Sequence, residues 1–128
     1  MKKASKKTTQ KKSKPLTQKP KGLVRFFYIP CPNQETAIRI AETLVAQKQI
    51  ACANVIPGIM SLYPWKGQIE RATECLLIIK TSLPQKKLSS LQDKIAQLHP
   101  YEIPCIAEID LGSLNSAYSL WIQENVQN

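Results

Sequence analysis

Residues 51–80 read ACANVIPGIMSLYPWKGQIERATECLLIIK, two extended patterns that meet at Lys66-Gly67. Residues 51–56 and 59–65 form the outgoing arm, and the intervening Pro57-Gly58 predicts a bulge or kink. Gly67 supplies the positive φ that a tight hairpin turn needs. Residues 68–80 return, and 75–79 are continuously apolar, as in a strand buried on both faces or covered by a partner. At about 3.3 Å per residue the return arm spans roughly 40 Å. A helix of about 15 residues spans only roughly 22 Å. Helices of that size therefore cover about half of the hairpin, leaving Ile59, Leu62, Tyr63, Trp65 and Ile69 bare. A lone two-stranded ribbon is marginal in water, and a bare apolar edge invites pairing. The arm lengths thus predict a homo-oligomer of closed rotational symmetry, with Tyr63, Trp65 and Ile69 at the interface.

The rest of the chain supplies the partners of that hairpin. Residues 23–29 (LVRFFYI) are a short apolar, aromatic strand, which Pro30-Cys31-Pro32 is expected to end. Asn33 can cap a helix that carries Ala37, Ile40, Ala41, Leu44, Val45 and Lys48 at helical spacing. After the hairpin, Ser82 can cap a second helix, with Pro84 in its first turn and Leu88, Leu91, Ile95 and Leu98 as its inward stripe. His99-Pro100 stops it. Residues 101–104 form a proline-bounded loop, residues 105–111 a further strand, and Asn115 can cap a short terminal helix with Tyr118, Trp121, Ile122 and Val126. The order β-α-β-β-α-β plus a terminal helix is the α+β, ferredoxin-like arrangement, two helices on one face of an antiparallel sheet.

Charge divides the chain at residue 22. Nine of the eighteen Lys and Arg residues and no acid lie in residues 1–22, while residues 23–128 carry equal numbers of bases and acids. The first segment is expected to be a disordered basic tail, able at most to bind a polyanion weakly, and residues 23–128 a single domain. No run of about 18 apolar residues suggests a membrane span, and no apolar stretch follows the basic N-terminus as in a signal peptide. Cys31, Cys52, Cys75 and Cys105 form no C-x-x-C pair. Reduced thiols in a cytoplasmic protein are the simplest reading.

Few side chains carry chemistry. His99, the single histidine, is a metal ligand or a helix-terminal residue that satisfies carbonyls. Cys31, between two prolines, is the thiol expected to be exposed, either as a thiolate ligand for Cu(I) or Hg(II) or as a small turn residue, whereas Cys52, Cys75 and Cys105 are expected as buried small hydrophobes. Asn54 and Lys80 interrupt apolar strand patterns, and Tyr101 and Glu102 sit beside His99. With Cys52 they are candidates to line a cleft between subunits that takes an anion or small molecule; the alternative is that they hydrogen-bond strand ends and loops.

The segments ACANVIPGIMSLYPWKGQI, CLLIIKT and HPYEIP, followed by Tyr118-x-x-Trp121-Ile122, strongly resemble the CutA divalent-cation tolerance family over about residues 24–126. The resemblance implies a ferredoxin-like homotrimer, similar in architecture to PII signalling proteins. It also implies a role in tolerance of copper and other divalent metals, with no established catalytic activity. The family's copper-site residues carry over poorly: Ile29 stands at the position of its cysteine, and Leu98-His99 at that of its two histidines. Pro64, between Tyr63 and Trp65, departs from the family and is expected to bulge the hairpin near its tip. The expected function is therefore non-catalytic divalent-cation tolerance, through binding of copper, another divalent metal or a small ligand in a homotrimer. The alternative is a nucleic-acid-binding module that uses the basic tail and the sheet, although no glycine-aromatic RNA-binding signature occurs. A small hydrolase on the same fold ranks last, since no arginine-rich phosphate loop and no nucleophile–base pair can be read.

Overall fold

The computed structural model describes residues 24–127. The expectations for the tail at 1–22, and for Leu23, lie outside them. Four strands form one antiparallel sheet in the order β2-β3-β1-β4, from β1 (Arg25–Cys31), β2 (Cys52–Trp65), β3 (Gln68–Thr81) and β4 (Ala107–Ile109). Helices α1 (Gln34–Ala46), α2 (Gln85–Leu98) and α3 (Ser116–Asn125) complete the ferredoxin-like α+β fold.

Side-chain alternation along a strand separates two faces. Phe27, Ile29 and Cys31 of β1 and Cys75, Leu77 and Ile79 of β3 point into the core, where Ala37, Ile40 and Leu44 of α1 and Leu88, Leu91 and Ile95 of α2 meet them. The opposite face shows Phe26, Tyr28, Leu76, Ile78 and Lys80, each partly exposed or exposed. Residues 75–79 are thus fully covered on one face only, and on the other face α3 reaches the next residue, Lys80, through Tyr118.

The hairpin has the expected excess length. Both arms are strands of 14 residues. The β1·β3 ladder stops at Cys31↔Cys75, whereas β2·β3 runs on from Ile59↔Glu74 to Trp65↔Gln68 as an isolated ribbon. Along it Leu62, Trp65 and Ile69 are 60%, 49% and 79% exposed. The bulge falls between Ile56 and Ile59, where Gly58 takes φ 83°, and the turn is made by Lys66 (φ 52°) and Gly67 (φ 80°). Two consecutive residues with positive φ match the right-handed strand twist.

Several local expectations are corrected. Pro30 does not end β1: the strand runs through it to Cys31. Proline lacks only the N–H, and β4 pairs with β1 no further than Tyr28↔Ala107. Among the described residues, no neighbouring strand stands at Pro30 to receive an N–H on that side. Pro64 pairs in register with Ile69, so the tip carries no bulge. On the two-stranded ribbon Pro64 can turn its missing donor outward. Ser82 is not the cap of α2; Pro84 holds that position without a side-chain bond. Asn33 does cap α1, its side-chain oxygen accepting from the Thr36 N–H at 2.8 Å. Lys48 lies beyond α1 with φ 59°, and Val45 is exposed. The last strand is only Ala107–Ile109, which leaves Cys105 in the preceding loop and exposed rather than buried.

Candidate functional site

The polar groups that sequence singles out fall into two separate clusters, at opposite ends of the four-stranded part of the sheet. The first surrounds the end of β1. His99 ends α2 and is 5% exposed. Its Nδ1 accepts from the Tyr101 N–H at 3.2 Å, so Nε2 carries the proton and donates to the Pro30 carbonyl at 2.9 Å. The histidine thus occupies the place along β1 that β4 is too short to reach. Both ring nitrogens are engaged, and the side chain satisfies a strand carbonyl rather than those of its own helix. Tyr101 then returns toward the sheet, its ring 4.8 Å from that of His99, and its hydroxyl donates to Glu74 at 2.5 Å. Glu74 is buried, and burial together with that carboxylate pushes the Tyr101 phenol well above its ordinary range.

Cys31 belongs to this cluster, but not as the exposed loop thiol expected. It is a core residue at 0% exposure, directly opposite Cys75. The extended β1 carries it inward, because alternation places it on the same face as Phe27 and Ile29. Burial pushes its thiol up to about 12, with Cys75 and Glu74 adding to the effect and Arg39 opposing it. Burial also raises Cys75.

The second cluster lies about six residues along β3, roughly 20 Å away. Lys80 faces Cys52 on one side and Phe26 on the other. Its ammonium donates to the Tyr118 hydroxyl at 3.1 Å and lies 5.1 Å and 5.2 Å from the centroids of Phe26 and Tyr118. Tyr118 stacks on Trp121 at 5.6 Å. Burial and a bond with the Cys52 thiol push the Tyr118 phenol up to about 12. Asn54 is exposed opposite Ile78, and Glu102 is exposed beside Tyr101. Cys52, Asn54 and Lys80 are therefore not brought together with Tyr101 and Glu102 within one chain. Sequence reasoning missed Glu74, Phe26 and Tyr118 as site residues. A lone acid at the mouth of the apolar run 75–79 was the available signal for Glu74. Nothing local marks Tyr118 as the partner of Lys80.

The positions that the family resemblance assigns to copper do not form a ligand set. Ile29 is a buried core residue, Leu98 packs against the core, and His99 has both nitrogens engaged. Among the described residues no group of three or more His, Cys, Asp and Glu is arranged to hold a metal ion. A three- or four-ligand centre of the kind zinc takes therefore does not fit a single chain.

A four-stranded α+β sheet with an overlong central hairpin, and clustered polar groups at both ends of its covered region, defines a ferredoxin-like protein with an extended ribbon. The chain belongs to the CutA1 divalent ion tolerance protein family, whose pattern matches residues 25–125. It is 41% identical over 105 residues to the Protein CutA homolog of Xenopus laevis, covering 82% of this chain and 68% of that protein. It is 35% identical over 97 residues to the divalent-cation tolerance protein CutA of Thermus thermophilus, covering 76% and 92%. The match spans only 57% of the bovine Protein CutA. Among solved structures, CutA1 from Ehrlichia chaffeensis superposes with a TM-score of 0.77 at 33% identity, over 84% of this chain and 98% of that one. No helix among the described residues is long and apolar enough to cross a membrane. One relative from Arabidopsis thaliana is named chloroplastic, and one solved structure from Archaeoglobus fulgidus periplasmic.

Proposed function

We propose that this protein acts in divalent-cation tolerance, copper included, as a homotrimer that binds an ion or small ligand without catalysing a reaction. The single observation that carries the assembly is the ribbon from Ile59↔Glu74 to Trp65↔Gln68. It is paired on one edge only and exposes Leu62, Tyr63, Trp65 and Ile69. A neighbouring copy that covers those side chains removes the apolar exposure, and closed symmetry leaves no edge over. The same assembly supplies what one chain lacks. Rotation places one end of a subunit's sheet against a neighbour, so the Lys80 cluster with Cys52 and Asn54 can meet Tyr101 and Glu102 across a cleft. Lys80, held over two aromatic rings, gives that cleft a fixed cation. His99 serves as a support of the cleft wall rather than as its ligand. The free state of all four cysteines favours the cytoplasm as the site of action.

Light scattering coupled to gel filtration, with titration calorimetry of Cu(I), Cu(II) and Zn(II), tests this reading. A trimer that binds at least one of these ions, or whose loss sensitises cells to them, supports it. A monomer at micromolar concentration with no ion binding refutes it.

A further inference from the structure

The β1·β3 ladder closes on a pair of cysteines. Cys31 stands opposite Cys75 in its last rung, both facing the helix-covered side at 0% and 2% exposure. Pro30 fixes the kind of rung. Having no N–H, it cannot exchange hydrogen bonds with Leu76, so the exchanging residues of β1 are its odd-numbered ones, Cys31 among them. Rungs of that kind hold Cα atoms about 5.5 Å apart, with Cβ atoms toward the wide end of roughly 4.5–5.5 Å. A disulfide draws its Cβ atoms to about 3.8 Å. Two metal–sulfur bonds of about 2.3 Å set in line keep the sulfurs roughly 4.6 Å apart. The rung is therefore better matched to an ion inserted between the sulfurs than to a bond joining them.

We propose that Cys31 and Cys75 form a two-coordinate bis-thiolate site for a thiophilic divalent d10 ion of the Hg(II) type. Coordination number follows from the donors present, since among the described residues no third His, Cys, Asp or Glu joins them in a metal-holding group. Ions that need four ligands, such as Zn(II), are poorly served. Charge selects the valence. Two thiolates around a divalent ion are neutral, whereas around Cu(I) they leave a net negative charge in a buried position that already feels the negative charge of Glu74, with Arg39 as the opposing cation. On binding, both S–H bonds break, two metal–sulfur bonds form and both protons pass to water; nothing is oxidised or reduced. The rung lies at the end of β1, where the four-stranded sheet gives way to the ribbon. This site deepens the cation-tolerance reading by naming donors and an ion class.

The test uses the full chain with Cys52→Ser and Cys105→Ser, which leaves Cys31 and Cys75 as its thiols. Hg(II) is titrated against excess glutathione. One ion retained per chain, with two sulfurs in line by X-ray absorption, is the expected result. Adding Cys75→Ser should weaken retention by more than the roughly 100-fold that loss of an outer-shell group costs. Retention unchanged by Cys75→Ser, a single sulfur in the absorption spectrum, or Cu(I) held against glutathione as well as Hg(II) overturns the proposal. Circular dichroism checks the fold of the Cys75→Ser form; should that form unfold, the absorption spectrum of its parent decides alone. A chain that fails here yet binds Cu(II) or Zn(II) leaves the tolerance reading standing.

Discussion

Removing the His99 side chain separates its two roles, pin and ligand. The ring makes two hydrogen bonds, to the Pro30 carbonyl at 2.9 Å and from the Tyr101 N–H at 3.2 Å, in a site only 5% exposed. Each such bond is worth about 1 kcal/mol net, and a buried carbonyl stripped of its partner costs about 1–3 kcal/mol. His99→Ala should therefore destabilise the chain by about 3 kcal/mol, most of it at Pro30, since Tyr101 borders solvent. For a domain of this size roughly 4–8 °C of melting temperature accompanies each kcal/mol, so the melting temperature should fall by more than about 10 °C. His99→Gln, which keeps a donor and an acceptor on a flexible stem, should recover part of the loss. Guanidinium unfolding is the assay, at one fixed protomer concentration because the proposed assembly would add its own concentration-dependent stability. A loss below about 0.5 kcal/mol, the ordinary scale of a surface substitution, refutes the pin. Were that small loss accompanied by abolished Cu(II) binding, the ring would be a ligand after all.

Three further outcomes follow from the same geometry. Tyr63→Ser with Trp65→Ser should convert the proposed trimer to smaller species in sedimentation runs at micromolar concentration, and an intact trimer would show that these side chains anchor nothing. In the native chain Cys105, exposed, should react with iodoacetamide before Cys31 and Cys75, which are buried and whose thiols are held protonated; mass spectrometry reads the order, and early labelling of Cys31 would contradict its place in the core. The alkaline side of the stability profile should slope downward. A group whose proton is held more tightly in the folded chain contributes stability that is complete below its unfolded pKa, about 8.5 for cysteine and 10 for tyrosine. That stability is lost as pH rises toward the folded value, which is about 12 for Cys31 and Tyr118. Unfolding midpoints should thus fall from about pH 8.5 upward, and Cys31→Ala should flatten the first part of that fall; equal slopes would refute the assignment.

How much of this was legible in the chain depends on the range of the forces involved. The hairpin, its turn and its bulge were readable because Lys66-Gly67 and Pro57-Gly58 act on their own backbone. The order of elements along the chain was enough for the ferredoxin-like class. Pro30 was misread because the rule against proline in a strand assumes a neighbour on both sides. Whether one is present there depends on the length of β4, set some 77 residues later. From that single misreading came the second, Cys31 placed in solvent when one more residue of strand turns it into the core. Cys105 erred in the opposite sense for the same reason, a β4 shorter than its apolar pattern suggests.

The distance between the two polar clusters bears on what the proposed assembly is for. A cleft built from Cys52, Asn54, Lys80, Tyr101 and Glu102 was a reasonable reading of polar residues in apolar surroundings, since such groups need partners. Within the chain each cluster has found its own: Lys80 has Tyr118, Tyr101 has Glu74, and His99 has Pro30. Their hydrogen bonds fix the side chains before any ligand arrives, which lowers the ordering cost of binding. What one chain cannot do is bring the fixed cation at Lys80 within reach of the loop at Tyr101 and Glu102. In the proposed trimer a second copy closes that gap of roughly 20 Å, held there by the ribbon. Assembly and ligand binding should accordingly fail together. The Tyr63→Ser, Trp65→Ser chain ought to lose any ligand that bridges the two clusters, while keeping any ion held by Cys31 and Cys75, whose rung is complete within one chain.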